Sequence, residues 1–305
     1  MVFLCLHCYD ILMMKRIHCI AGPTASGKSA FAVDLAKKCD GEIINADALQ
    51  VYGQLWVLSA RPSVAEMEDI PHHMFGHIDP SERYSTGKWL KEVDALIIEI
   101  LARDKTPILV GGTGLYFKAL TEGLAQVPEP EGHAHQKAQH ILDMQGVGAL
   151  RIEAERLDPI ATKKVLGNDP QRLLRIVSVA LGTQKTLSQW RLDTKPVLPK
   201  GVWDGQVLLP KRENLYAKIN ARFADMVRTG GLEEARNMLA LNLSPELPAM
   251  KAIGLRELIR HLNGEITLDE AVALAMRETR RFAKRQYTWL RGQMKTWKHV
   301  EVLQD

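Results

Sequence analysis

Eight consecutive residues constrain this chain more than any others: Gly22-Pro23-Thr24-Ala25-Ser26-Gly27-Lys28-Ser29, a match to G-x-x-x-x-G-K-[ST]. The run before them, RIHCIA at 16–21, is short, apolar and β-branched. The run after them, SGKSAFAVDLAKKC, carries Ala30, Val33, Leu35 and Ala36 at helical spacing. Strand, glycine loop, helix is the context in which such a loop works: its glycines let backbone N–H groups wrap phosphate oxygens. Lys28 adds a point charge, and the Ser29 hydroxyl suits a Mg²⁺ ion. A glycine-rich turn without a ligand has no need of Lys28 and Ser29. The loop leaves open which phosphate it takes, the nucleoside triphosphate of a kinase or ATPase or the diphosphate leaving group of a transferase. No N-K-x-D segment, the usual mark of GTP selection, follows in the sequence.

The rest of the chain extends the same pattern. EIINAD at 42–47 reads as a second buried strand, and 86–103 as a helix with Trp89, Val93, Leu96, Ile97 and Ile100 on one side. PILVGGTG at 107–114 is an apolar strand running into glycines. Alternation of apolar strands with helices predicts an α/β fold with a doubly wound parallel sheet. Near 124 the character changes: LAQVPEPEGHA is a Pro/Gly-rich crossing, and 134–192 is helical with breaks at 146–148 and 167–170. QVLLP at 206–210 returns to strand, and helices are expected at 212–229, 232–241, 251–262 and 267–291. The division expected is therefore a core of 15–124 and 201–305 with C-terminal helices, and a helical insertion at 125–200. Residues 1–14 are expected to be a disordered or non-native extension, with Met13 or Met14 as alternative starts.

Composition removes several classes. With 46% hydrophobic and 25% charged residues the chain is neither disordered nor fibrous. No apolar run reaches the roughly 18 residues of a membrane span. MVFLCLHCYDILMM is apolar, but no basic residue precedes it, Asp10 interrupts it and Lys15-Arg16 follows it, so a secretory signal is not expected and the protein is read as cytoplasmic. All four cysteines (Cys5, Cys8, Cys19, Cys39) lie near the start, which does not suit a disulfide scaffold. Cys5-x-x-Cys8 with His7 and His18 lacks a second pair at zinc-finger spacing, so plain thiols are expected. His133, His135 and His140 read as a solvated helix face. The net charge of +4 is unevenly spread: 277–298 holds eight Lys or Arg and one acid, Glu278. Arg277, Arg281, Lys284, Arg285 and Thr288 fall on one helix face, a candidate phosphate-backbone track whose plain alternative is a solvated surface. Phe282 and Trp289 on the same helix read as core.

Further segments stand outside a kinase reading: Asn45-Ala46-Asp47-Ala48-Leu49-Gln50-Val51-Tyr52, Pro71-His72-His73, Val110 to Tyr116, Asn168 to Arg175, Ala252-Ile253-Gly254, and Thr279 to Trp289. With the glycine loop, in this order, they resemble the bacterial tRNA dimethylallyltransferases, or isopentenyl transferases, from about residue 16 to about 297. The resemblance implies a P-loop NTPase-like parallel sheet core; a monomer with no membrane partner is expected. It implies transfer of a five-carbon prenyl group from dimethylallyl diphosphate to N6 of adenosine 37 beside the anticodon of tRNA. Gly22, Pro23, Thr24, Ala25, Ser26, Gly27, Lys28 and Ser29 would then hold the diphosphate, with Mg²⁺ on Ser29. Asp47 matches the general base, and Thr24 and Arg222 match groups set against the phosphates. The resemblance places tRNA contacts at Asp47, Ala48, Leu49, Gln50 and Thr113, at Gln171, Arg172, Leu173, Leu174 and Arg175, and at Lys251, Ala252, Ile253, Gly254, Leu255 and Arg256. Arg281, Lys284 and Arg285 join them as the basic face.

The chain departs from the family in places. Ala48 stands where the family has Ser, and Leu58-Ser59-Ala60-Arg61-Pro62 where it has Gly-Thr-Ala-Lys-Pro, so Leu58 replaces a flexible residue. Residues 131–150 carry no recognisable pattern, and the zinc finger of eukaryotic relatives is not found, which favours a bacterial enzyme. Two other classes remain: a small-molecule kinase, revealed by use of the γ-phosphate of ATP, and a nucleotide-driven RNA-binding switch, indifferent to Asp47→Asn.

Overall fold

The computed structural model describes residues 16–192 and 194–300; Cys5, His7, Cys8 and the extension expected at 1–14 lie outside them. Six strands form one sheet, β1 (Ile17–Ala21), β2 (Gly41–Asn45), β3 (His72–His73), β4 (Thr106–Gly111), β5 (Trp203–Leu208) and β6 (Lys298–Val300), in the order β3-β2-β4-β1-β5-β6. Every pairing is parallel, with His18 between Ile108 and Asp204. β2 and β4 are buried along their whole length, which is why they read as continuous apolar runs rather than alternating ones. The expected α/β parallel sheet is present. Strands β3 and β6 were not expected: two or three residues at a sheet edge leave no periodicity to detect.

Helices fill the crossovers: α1 (Lys28–Cys39), the single turn α2 (Val64–Met67), α3 (Thr86–Ala102) and α4 (Gly114–Glu122). Helix α3 begins where Ser85 accepts a bond from the Lys88 amide, and it buries Trp89, Val93, Ile97 and Ile100 on the sheet. The Trp89 indole donates to the Asn45 carbonyl at 2.9 Å and stacks on Tyr116 with centroids 4.2 Å apart. Strands β1, β2 and β4 are neighbours in the sheet and run the same way, so the loops leaving their C-terminal ends gather at one edge.

The chain separates into two compact units, Glu122–Val197 and the remainder. In the first, α5 (Gly132–Leu157), α6 (Pro159–Thr162), α7 (Pro170–Gly182) and α8 (Leu187–Leu192) pack around Leu150, Ala154, Leu173, Ile176 and Val177. Helix α5 is kinked at Gly146, whose φ of 81° an L side chain rarely adopts. His133, His135 and His140 are exposed on it. Asp158 joins three elements: its carboxylate accepts from the Ala161 amide, the Ser188 amide and the Ser188 hydroxyl at 2.6–2.9 Å. Burial alone would raise its pKa; these hydrogen bonds outweigh burial and hold the carboxyl below its ordinary value. Asp158→Ala should therefore destabilise this unit by about 2–4 kcal/mol, since the bonds end on a buried charge. In urea titrations the gap between wild type and variant should be full at pH 7. It should close as pH falls below about 4, because a depressed carboxylate stabilises only while ionised.

In the second unit the C-terminal helices are α9 (Arg212–Met226), α10 (Leu232–Ala240), α11 (Leu255–Leu262) and α12 (Leu268–Gln293). Their core joins Tyr52, Leu55 and Leu58 to Phe223, Met226, Met238, Leu255 and Leu258. The helix expected through 229 ends at 226 in a wider π-type turn, Val227–Gly231, in which Gly230 has φ 130°. Helix α12 opens with a capping box: Thr267 accepts from the Glu270 amide at 3.2 Å and Glu270 from the Thr267 amide at 2.8 Å.

Candidate active site

The glycine loop lies between β1 and α1, as its pattern requires. Gly27 caps α1 with φ 84° and no side chain caps that end, so the first-turn amides of α1 have no intrahelical partner and are available to an anion. The Ser26 hydroxyl is buried in the loop without a hydrogen-bond partner. Enclosure by protein lowers the Lys28 pKa to about 8; the Asp47 carboxylate works against that fall and the Arg222 guanidinium adds to it. The Arg222 pKa is likewise lowered, by burial, with Asp47 opposing. Arg222 donates to the Thr24 hydroxyl, so a helix from the far end of the chain grips the loop. Ser29 is exposed in the first turn of α1. No group of three His, Cys, Asp or Glu side chains among the described residues could hold a metal ion. A lone hydroxyl suits a hard cation that takes its other ligands from phosphate oxygens and water.

Asp47 follows β2 and is held from below. The buried Asn45 side chain accepts from the Asp47 amide at 2.8 Å and donates to the Asp47 carbonyl at 3.0 Å. Asp47 Oδ1 accepts from the Leu49 amide at 3.0 Å, and the Thr113 hydroxyl accepts from the Ala48 amide at 3.0 Å. A side chain at Gly111 would stand 2.0 Å from the Ala46 carbonyl oxygen, so glycine there lets the ends of β2 and β4 close on each other. Ala48, lacking the family's hydroxyl, is fixed through its backbone instead.

Thr24, Asp47 and Arg222 then face a cleft lined by Leu49, Leu58, Ile219, Phe223, Met226, Ile253 and Phe282, with Ser59, Ala60 and Thr279 among them. Phe282, expected in the core, lines this cleft. Leu58 is also a wall residue, and its loop is clamped: Glu234 accepts from the Val57 and Leu58 amides at 2.7 and 3.1 Å. The Ser59 hydroxyl donates to the Leu55 carbonyl while Ser59 also lines the cleft, and the Arg61 guanidinium stacks 4.0 Å over Trp56.

Several residues expected to meet RNA have their side chains enclosed by protein. Leu173 is wholly buried in the core of its unit and Leu174 packs against that core. Ala252 and Leu255 are buried at 2% and 0% exposure among the C-terminal helices. Gly254, with φ 91°, abuts the Phe223 ring. Each lies on the apolar side of its segment, where exposing it would cost packing. Gln50 is buried too, and its amide donates to the Ser59 and Ala60 carbonyls at 3.1 and 2.8 Å, leaving only its oxygen for any base edge. By contrast Gln171, Arg172, Arg175, Lys251, Arg256, Arg281, Lys284 and Arg285 are exposed. Arg281 pairs with Glu278 at 2.7 Å, and Arg285 lies over the Phe282 ring.

One residue was missed. Gln286, buried on α12, accepts from the Thr24 amide at 3.0 Å and donates to the Gly112 carbonyl at 2.9 Å.

Sheet order, glycine loop and cleft together define a P-loop-type α/β protein able to hold a ligand with a phosphate end and an apolar end. Its relatives narrow this. An IPP transferase model matches residues 50–293 and an isopentenyl transferase model residues 15–75. The chain is 50% identical to a tRNA dimethylallyltransferase of Maricaulis maris over 284 residues, 93% of this chain and 92% of that one. It is 30% identical to the crystal structure of a full-length tRNA isopentenylpyrophosphate transferase from Bacillus halodurans, with a TM-score of 0.67 over 94% of this chain and 90% of that one. A eukaryotic dimethylallyltransferase captured acting on tRNA matches at 28% identity and a TM-score of 0.82, over 94% of this chain and 74% of that one. The chain belongs to the IPP transferase family.

Proposed function

We infer that this protein moves the dimethylallyl group of dimethylallyl diphosphate onto the exocyclic N6 amine of adenosine 37, beside the anticodon of tRNA, and releases diphosphate. The observation that carries the reading is the cleft, where Thr24, Arg222 and the Asp47 carboxylate meet walls of Leu49, Leu58, Phe223, Met226 and Phe282. A kinase for a small polar acceptor has no use for apolar walls beside its phosphates. A prenyl diphosphate uses both ends.

In the reaction the C–O bond to diphosphate breaks as the bond from N6 to that carbon forms. The adenine amine is a weak nucleophile, and Asp47 accepts the proton it sheds. The charge left on diphosphate is met by Lys28, by Arg222 and by the amides at the start of α1. Mg²⁺, held by the Ser29 hydroxyl and diphosphate oxygens, would supply further charge neutralisation. The acceptor base has to leave the anticodon-loop stack to reach Asp47. We assign the exposed Gln171, Arg172 and Arg175 of the insertion, with Lys251, Arg256 and Thr113, to contacts with that loop, which suits reading by polar groups on splayed bases. The protein would act as a monomer.

The test is incubation with labelled dimethylallyl diphosphate, Mg²⁺ and tRNA, followed by nucleoside analysis. Label in N6-modified adenosine is expected; its absence together with transfer of the γ-phosphate of ATP would return the protein to the kinases. The basic face of α12 gives a second expectation. Neutralising Arg281, Lys284 and Arg285 together should weaken tRNA binding and flatten log K against log salt by about 2–3, near one unit per phosphate contact. An unchanged slope would leave that face a solvated surface.

A further inference from the structure

We propose that Gln286 is a positioning residue that locks the phosphate cradle to the strand end carrying the base, an inference that rests on the transfer reaction above. Its side chain is buried on α12, 262 residues from Thr24 in sequence, and bridges two backbone segments at once. Its oxygen takes the Thr24 amide of the glycine loop at 3.0 Å, and its nitrogen gives to the Gly112 carbonyl after β4 at 2.9 Å. The two partners fix the chemistry: an N–H needs an acceptor and a C=O needs a donor, so only a neutral group offering both fits. A carboxylate would face the Gly112 carbonyl oxygen with another oxygen, and an ammonium or guanidinium would face the Thr24 N–H with another N–H.

Both partners lead directly into the cleft. Thr24 carries the hydroxyl that Arg222 grips. Gly112 is flanked by Gln286 and Asp47: a side chain built there would lie 2.4 Å from Gln286 Nε2 and 3.3 Å from Asp47 Oδ2. The next residue, Thr113, holds the Ala48 amide. The amide of Gln286 is thus a strut between the group that binds the leaving diphosphate and the group that receives the proton. Fixing that separation keeps donor carbon and acceptor nitrogen in line as one bond replaces the other, and misplacement by about 1 Å can cost about 10²-fold in rate.

The test uses Gln286→Met, which keeps the length and loses both bonds, and Gln286→Glu, which keeps the acceptor alone and serves if the methionine variant fails to fold. Three quantities are read: kcat and KM for dimethylallyl diphosphate, affinity for the tRNA anticodon stem-loop, and calorimetric affinity for inorganic diphosphate with Mg²⁺. For either variant kcat should fall about 10–100-fold, diphosphate affinity should fall several-fold, and tRNA affinity should stay within about twofold, because the exposed face of α12 is untouched. Unchanged kcat and diphosphate affinity in a variant of lowered Tm would make Gln286 a core strut and overturn the proposal. The diphosphate measurement needs no turnover, so if the wild type transfers no prenyl group the transfer reading fails while the clasp is still judged.

Discussion

Asp47→Asn is expected to slow prenyl transfer by about 10²–10⁴-fold while leaving tRNA affinity within about two- to threefold, the range a positioned general base contributes. The substitution is chosen because the structure lets it be clean. The asparagine oxygen can still accept from the Leu49 amide, and the Asn45 bonds go to the Asp47 backbone, not its side chain. The Thr113–Ala48 bond next to it is also independent of the carboxylate. What is lost is the ability to take a proton from N6 and a negative charge that supports the protonated form of Lys28. The second effect gives an internal control. Without Asp47 opposing burial, the Lys28 pKa should fall further below about 8, so diphosphate binding should weaken at a lower pH than in wild type. Loss of transfer at pH 7 with diphosphate still bound assigns Asp47 to proton transfer. A rate unchanged from wild type removes it from that role.

How much of this could be read from the sequence depended on whether the information was local. β1, the glycine loop and α1 are contiguous, and the apolar runs of β2 and β4 are long enough to declare strands buried on both faces. Asp47 was legible through the resemblance, whose general-base position it fills at the end of a buried strand. The short edge strands β3 and β6 exist through pairing with neighbours and carry no pattern of their own. Motif blocks carried over whole concealed the helix periodicity within them: Arg172 and Arg175 face outward while Leu173 between them is core. The same periodicity held the missing clue to Gln286. On α12 the buried positions are Ala271, Ala275, Ala283, Gln286 and Leu290, so Gln286 is the polar residue on an otherwise apolar stripe. A polar side chain in that position needs buried partners. Which partners it finds, in a loop more than 250 residues away, is set by tertiary packing alone.

Lys28→Met should reduce both diphosphate affinity and transfer, the latter by about 10²–10³-fold, the cost of removing one preorganised charge from a developing anion. The shape of the pH profile is more diagnostic than the loss itself. Diphosphate is an anion and prefers the protonated lysine. In the free protein that proton is lost as pH rises through about 8, because enclosure lowers the Lys28 pKa and Asp47 only partly offsets it. Wild-type affinity should therefore be highest below pH 8 and decline above it, with each binding event taking up a proton there. The ligand titrates as well, so the measurement is the difference between wild type and Lys28→Met across pH 6.5–9.5, which cancels the ligand's share. That difference should shrink as pH rises, since wild type loses the charge the variant never had. Lys28→Arg supplies the converse: a guanidinium stays protonated throughout, so its affinity, though reduced by the poorer fit of a planar fork in a cradle shaped for a point charge, should show no break at 8. A break of equal size in Lys28→Met would assign the titration to another group and leave Lys28 protonated in the free cradle.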